Sequence, residues 1–323
     1  MKRRSLCMLL AGLAGGASLN LRAQEKYPAR PIRIIVPFVA GGVGDTVARI
    51  VGMPLGEQLG QPVIIENRPG GDSVTGTEYA AKTAPDGYTI LQISTPQTIN
   101  MVLRNNARYD LLRDFAPVAR VAGSTLVLVV PSTAPHRTVG DLIAYGKRKP
   151  GGLSYGSGGV GSVGHLSGEL LKRAGGIDAL HVPYKGNAAV IPDLVGGRLD
   201  FFFASQPEAV QGAASGHLRA LAVTAPRRVA TFPDVPTMIE AGFANFDPSS
   251  NYGYAVPANT PAPVVQQLSE AFGKVVASSA VQERFQALGL TPNFGGPAEM
   301  ATTLNGEMAR WAQVVKASNI HPE

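Results

Sequence analysis

Apolar positions along the chain follow two alternating rhythms. Short runs rich in β-branched and aromatic residues, such as Ile32–Phe38 (IRIIVPF), Tyr88–Ser94 (YTILQIS) and Leu199–Ser205 (LDFFFAS), predict buried strands. Pro62–Gly70, Leu180–Tyr184 and Leu218–Thr224 are further strand-like segments. Between them lie stretches with helical spacing: 45–59, 75–87, 138–152, 165–172, 187–194 and 209–214. Strands alternating with helices of this length predict βαβ units, mostly parallel sheets and an α/β fold. The C-terminal third changes rhythm. One extended segment, Asn251–Pro261, precedes helical stretches at 263–278, 280–288 and 297–318, separated only by a short TPNF.

Two long apolar runs, Val121–Val130 and Tyr252–Val256, bracket the middle of the chain. They read as two crossings between lobes. The predicted division is a discontinuous domain 1 (24–124 and 252–323) and an inserted domain 2 (125–251).

Residues 1–23 stand apart. Met1-Lys2-Arg3-Arg4 is a basic start, Leu6–Leu21 is apolar but broken by glycine, and Leu21 and Ala23 suit a cleavage site. The segment predicts a signal peptide, by the Sec or the twin-arginine route, and export of the chain. The leader carries Lys2, Arg3, Arg4 and Arg22 and no acid, so without it the net charge drops from +6 to +2. No strong basic field remains, which argues against nucleic acid as a partner. The sole cysteine, Cys7, also lies in the leader, so a thiol nucleophile, a disulfide or a Cys-based metal site is not expected. At 45% hydrophobic and 16% charged residues the composition is that of a folded globular protein.

The stretch Ser154–Leu171 (SYGSGGVGSVGHLSGELL) contains G-x-G-x-x-G twice, at Gly156/Gly158/Gly161 and at Gly159/Gly161/Gly164. A dinucleotide site needs an acid at the end of the following strand. Asp178 precedes that strand, and Lys185-Gly186 follows it, so no nicotinamide cofactor is expected. Anion capture fits better. Amides at a glycine loop before a helix bind carboxylates or phosphates, helped by the helix dipole. Val36–Arg49 (VPFVAGGVGDTVAR) repeats the strand–glycine loop–helix unit, with Asp45 or Thr46 placed to cap the helix. Two such loops, one per lobe, suit a small carboxylate held in a cleft. Hydrogen bonds to a charged group contribute about 1.5–3 kcal/mol each, and micromolar affinity needs about 8 kcal/mol net. Amides and hydroxyls therefore suffice without a salt bridge.

The motifs VPFVAGGVGDTVAR, ENRPGG, APDGYTIL, YGSGGVGSVGHLSGELL, HVPYKGNAAVIPDLVGGRLD, LRALAVT, PDVPTMIEAGF and GYAVPANTP, in this order, resemble the Bug family of periplasmic solute-binding proteins of tripartite tricarboxylate transporters. The resemblance spans essentially the whole exported chain. It implies a two-lobed type II periplasmic-binding (Venus flytrap) fold with two interdomain crossovers. It also implies residence in the periplasm, a small mono- or dicarboxylate ligand, delivery to membrane permease subunits, and a monomer without cofactor or metal. By the same resemblance, ligand contacts map to Phe38, Ala40, Gly41 and Gly42, to Ser94 and Thr95, to Ser157, Gly158 and Ser162, and to Tyr184, Lys185 and Gly186. Gly44 stands where the family often has Thr. Ala204 stands where it often has Asp, which leans the reading toward a plain carboxylate over an amino acid.

Other readings remain open. The chain could present its ligand to a membrane sensor kinase. A secreted α/β hydrolase could use Ser162 and His165 as a nucleophile pair, although no G-x-S-x-G elbow is present. His165 and His181 lack a third spaced ligand for a metal.

Overall fold

The computed structural model describes residues 27–70, 73–103, 108–244, 246, 248 and 250–317. The predicted leader 1–23, its Cys7 and the last residues of the chain lie outside them. The first strand, β1 (Ile32–Val36), feeds helix α1 (Val43–Leu59). That helix buries Val47, Ala48, Ile50, Val51 and Leu55 on one face and leaves Arg49 and Met53 exposed. A buried Leu or Ile contributes about 1.5–3 kcal/mol, so this apolar stripe fixes how the helix lies on its sheet. β2 (Val63–Asn67), α2 (Val74–Ala81), β3 (Thr89–Ser94), α3 (Thr95–Leu103) and β4 (Phe115–Ser124) follow.

The chain then leaves this sheet through one residue, Thr125, and builds a second. β5 (Leu126–Pro131), α4 (Val139–Gly146), β6 (Leu153–Ser157), α5 (Val163–Gly175), β7 (Ala179–Pro183), a 3-10 turn at Asn187–Ala189, α6 (Ile191–Val195), β8 (Phe201–Ser205), α7 (Gln206–Ala214) and β9 (Leu218–Val223) belong to it. The return runs through β10 (Ser250–Pro257). α8 (Ala262–Ala277), α9 (Ser279–Ala287), β11 (Leu290–Gly295) and α10 (Pro297–Ala317) complete the first unit.

The first sheet has the order β11-β4-β10-β3-β1-β2, and the second β7-β6-β8-β5-β9. They repeat one plan. β1 lies between two parallel neighbours, β2 and β3, as β6 does between β7 and β8. The incoming strand is antiparallel to both its partners in each case: β10 to β3 and β4, β5 to β8 and β9. Both sheets are thus mixed, a correction to the expectation of mostly parallel ones. The strands that arrive from the opposite lobe enter against the βαβ direction. The continuous apolar run Val121–Val130 is likewise two strands in two sheets, divided at Thr125.

Each sheet is covered on both faces by apolar clusters. A smaller cluster joins the lobes. Ile99 of α3 and Trp311 and Val314 of α10 pack with Leu166 of α5.

Candidate functional site

β1 and β6 each have a parallel neighbour on either side, and the connections from the carboxyl ends of adjacent strands β1 and β3, and of β6 and β8, run to opposite sides. Ligands of open α/β sheets bind at such switch points. The loops there are Pro37–Gly42 and Gly158–Ser162, leading into α1 and α5.

The first loop is built around Asp45. Its carboxylate accepts from the Gly41 amide (2.9 Å), Arg49 Nε (2.9 Å) and Asn67 Nδ2 (3.0 Å), and Asn67 Nδ2 also donates to the Phe38 carbonyl (3.2 Å). Burial works to raise the pKa of Asp45, but the bonds from Arg49, Gly41 and Asn67 outweigh it and hold the carboxyl below its usual range. The expected capping by Asp45 or Thr46 is corrected here. α1 begins at Val43, its cap is Gly42 with no side-chain bond, and Asp45 is far enough inside to reach back to Gly41. Gly41 has φ +82, a left-handed conformation that favours glycine. Among the described residues the Ala40 amide makes no intramolecular hydrogen bond.

The second loop is braced by two histidines. Ser157 Oγ is fully buried, donates to the Gly159 carbonyl (2.9 Å) and lies 2.7 Å from His181 Nε2. The Gly161 amide donates to His165 Nδ1 (3.0 Å), and the two imidazoles stack at 3.8 Å. Beneath them Tyr155 OH donates to Glu169 Oε1 (2.7 Å), which also accepts from Lys172 Nζ (2.8 Å). Burial, with His165 alongside, pushes the His181 pKa down to about 4, and burial lowers that of His165. Both rings are therefore neutral at physiological pH. Ser162 caps α5 by accepting from the His165 amide (3.2 Å). Ser162 Oγ thus accepts from the His165 backbone, His165 Nδ1 accepts from Gly161, and no side-chain hydrogen bond joins Ser162 and His165 among the described residues. The amides of Gly158 and Val160 make no intramolecular hydrogen bond among the described residues.

Tyr184 and Gly186 join this loop. The Tyr184 amide donates to the Ser157 carbonyl (2.9 Å) and the Gly186 amide to the Gly158 carbonyl (3.2 Å). The Tyr184 phenol turns away, donating to Asp193 Oδ2 (2.6 Å). Lys185 is exposed, with no hydrogen-bond or ion-pair partner among the described residues. Gly158 approaches Asn187 so closely that a Cβ there would lie 2.5 Å from Asn187 Oδ1. Asn187 had only its place in a motif to mark it.

Ser94 ends β3 and Thr95 opens α3, at the same topological position as Ser205 and Gln206 in the other sheet. Ser94 is buried, with its amide donating to Gln97 Oε1 (2.7 Å). The Thr95 hydroxyl is engaged on both sides. It donates to Glu307 Oε1 (2.9 Å) and accepts from the Asn251 amide (3.0 Å). Glu307 also accepts from Thr98 Oγ1 (2.9 Å) and Asn251 Nδ2 (2.7 Å), and burial raises its pKa. No sequence pattern announced this cluster. Its members are more than 50 residues apart except Thr95 and Thr98.

The structure thus groups Phe38, Ala40, Gly41 and Gly42 on one side, and Ser157, Gly158, Ser162, Tyr184 and Gly186 on the other. No hydrogen bond joins the two loops among the described residues. The second touches α3, since a Cβ on Gly161 would lie 2.9 Å from Leu103 Cδ1. Ala204 belongs to a buried apolar cluster with Val127, Val190 and Phe202.

A family profile described as "Tripartite tricarboxylate transporter family receptor" matches residues 47–320. Protein BugT of Bordetella pertussis is 36% identical over 308 residues, covering 95% of this chain and 93% of BugT. Among solved structures, an R. palustris protein with adipate is 33% identical with a TM-score of 0.76, covering 92% of this chain and all of that one. MatC from Rhodopseudomonas palustris, with bound malate, is 30% identical with a TM-score of 0.72, covering 90% of this chain and all of MatC.

Proposed function

The chain belongs to the tripartite tricarboxylate transporter receptor family, and from that premise we propose that it captures a small mono- or dicarboxylate between its two lobes and passes it to membrane permease subunits. The observation that carries this reading is the repeated plan of the two sheets. Each sheet places a glycine loop and a helix N-terminus at the carboxyl end of its doubly parallel strand. Amides at helix N-termini stabilise anions, and two such ends suit the two carboxylates of a ligand like the adipate or malate seen in the similar structures.

In this reading Ala40, Gly41 and Gly42 hold one carboxylate with the first amides of α1. Gly158 and Ser162, with the first amides of α5, hold the other. Phe38, Tyr184, Lys185 and Gly186 wall the cleft. Ser94 and Ser157 support it through their backbone, because their hydroxyls are buried, and Thr95 connects it to the hinge. Residues 24–124 and 252–323 form one lobe and 125–251 the other, and closure swings them about the two crossings. The leader directs the chain to the periplasm, where it acts as a monomeric receptor without catalysis.

Calorimetry with adipate, malate and other small carboxylates, on protein stripped of ligand by unfolding, tests this. One carboxylate bound in the cleft, weakened by substitutions in both loops, is expected. Absence of binding by every member of the panel would refute it.

A further inference from the structure

Beside the two crossings lies a cavity of about 300 Å³ that none of the twelve expected ligand contacts lines. Its floor is the hinge itself: Gly123–Thr125 where β4 passes into β5, and Asn251 of β10. Arg120 of β4, Thr291 and Asn293 of β11, and the face of α10 from Thr302 to Arg310 wall it from the first lobe. Ala225 and Pro226, just past β9, wall it from the second.

The charges in its lining are unbalanced. Arg120 donates only to neutral groups, Thr303 Oγ1 (2.9 Å) and the Oδ1 (3.0 Å) and carbonyl of Asn293 (3.3 Å). Arg310 makes no hydrogen bond or salt bridge among the described residues. The one acid, Glu307, is already bonded by Thr95, Thr98 and Asn251. Thr125 is 4% exposed, and its hydroxyl has no partner among the described residues. A hinge hydroxyl with no partner among the described residues, beside two guanidiniums that make no salt bridge among them and outnumber the one lining carboxylate, suits an oxyanion, because guanidinium pairs with planar or tetrahedral oxyanions by forked hydrogen bonds.

We propose that this hinge cavity is a second ligand site, which takes a small oxyanion of the size of phosphate or a short dicarboxylate. Its walls come from both lobes, so its shape depends on the angle between them. Occupancy is therefore linked to opening and closure of the cleft, and the linkage is reciprocal. The site stands independently of which carboxylate the cleft takes.

The test is calorimetric titration with sodium phosphate, and separately with sodium succinate, at constant ionic strength, with and without adipate. The decisive variant is Gly306→Leu. Gly306 lines the cavity on α10, and a Cβ there meets nothing within 4 Å. The substitution plugs the space and improves helix propensity, so a folding failure is not expected. Arg310→Gln removes one of the two lining cations. The expected result is one phosphate or succinate per molecule that adipate does not displace. It should be lost in Gly306→Leu and weakened about tenfold or more in Arg310→Gln. Phosphate binding alone would identify the site with phosphate groups, and succinate binding alone with carboxylates. The proposal is overturned if, with the cleft saturated by adipate, neither probe binds, or if the binding seen there survives Gly306→Leu.

Discussion

Acidification should destabilise this protein through His181, and the effect can be isolated. An ordinary histidine titrates near 6.5, whereas His181, half-buried against His165, is held down to about 4. The folded state thus refuses a proton that the unfolded chain accepts. A folded pKa below the unfolded one gives stability that is complete above 6.5 and disappears as the pH falls toward 4. At about 1.4 kcal/mol per unit, the depression is worth at most about 3.5 kcal/mol. Glu169 and Lys172 face the pair from α5 with opposing effects, the first raising the His181 pKa and the second lowering it. The perturbation is His181→Gln, which keeps a polar group beside Ser157 Oγ but cannot titrate. Urea unfolding at a series of pH values from about 7.5 to about 4.5 is the assay. The wild type should lose stability faster than the variant across that interval, by close to one proton's slope. Carboxylate affinity should fall with it, because Ser157 and Gly161 lean on these two rings. Parallel stability curves for the two proteins would show that the imidazole is solvated in the fold and that the reasoning is wrong.

Three substitutions extend the argument. Gly168→Ala would put a methyl 2.1 Å from Tyr155 Cε2 and lift α5 from β6. A cost near the top of the usual overpacking range, about 3 kcal/mol, should appear in the urea midpoint, and an unchanged midpoint would contradict the packing. Gly158→Ala collides with Asn187 Oδ1 and pushes the Tyr184–Gly186 turn from the loop. Carboxylate binding by calorimetry should weaken about tenfold or more with little change in stability, since one or two charged hydrogen bonds are lost. Glu307→Leu orphans donors on Thr95 and Asn251, while Thr98 keeps its bond to the Thr95 carbonyl. It should cost about 3 kcal/mol in chemical unfolding, and a neutral result would mean that those donors find water.

The strand–glycine loop–helix units were readable in the sequence because their signals are local. A β-branched run, a glycine cluster and a helical period follow one another within a few residues at both Ile32–Leu59 and Leu153–Gly175. Asp178 was correctly discounted for a similar reason: β7 begins one residue later, at Ala179. What escaped was decided at long range. Thr95-Pro96-Gln97 gives little sign of a helix, yet α3 starts there, with Thr95 and Thr98 bonded to Glu307 more than 200 residues away. In the run Val121–Val130 only Gly123 and Ser124, which are partly buried where Leu126–Val130 are buried throughout, lie beside the division at Thr125. Pairing with β10 on one side and with β8 and β9 on the other makes the division. The histidine brace escaped for the same reason, because His181 reaches Ser157 only through the register of β6 with β7.

Trp311 is the only tryptophan in the chain, and it is fully buried where α10 and α3 of one lobe meet α5 of the other. Indole emission shifts with the polarity around the ring, and no second tryptophan dilutes the signal. The protein therefore carries a native optical probe of its own lobe contact. Any movement that parts α5 from α10 would register in its fluorescence without a label, on the timescale of the movement itself.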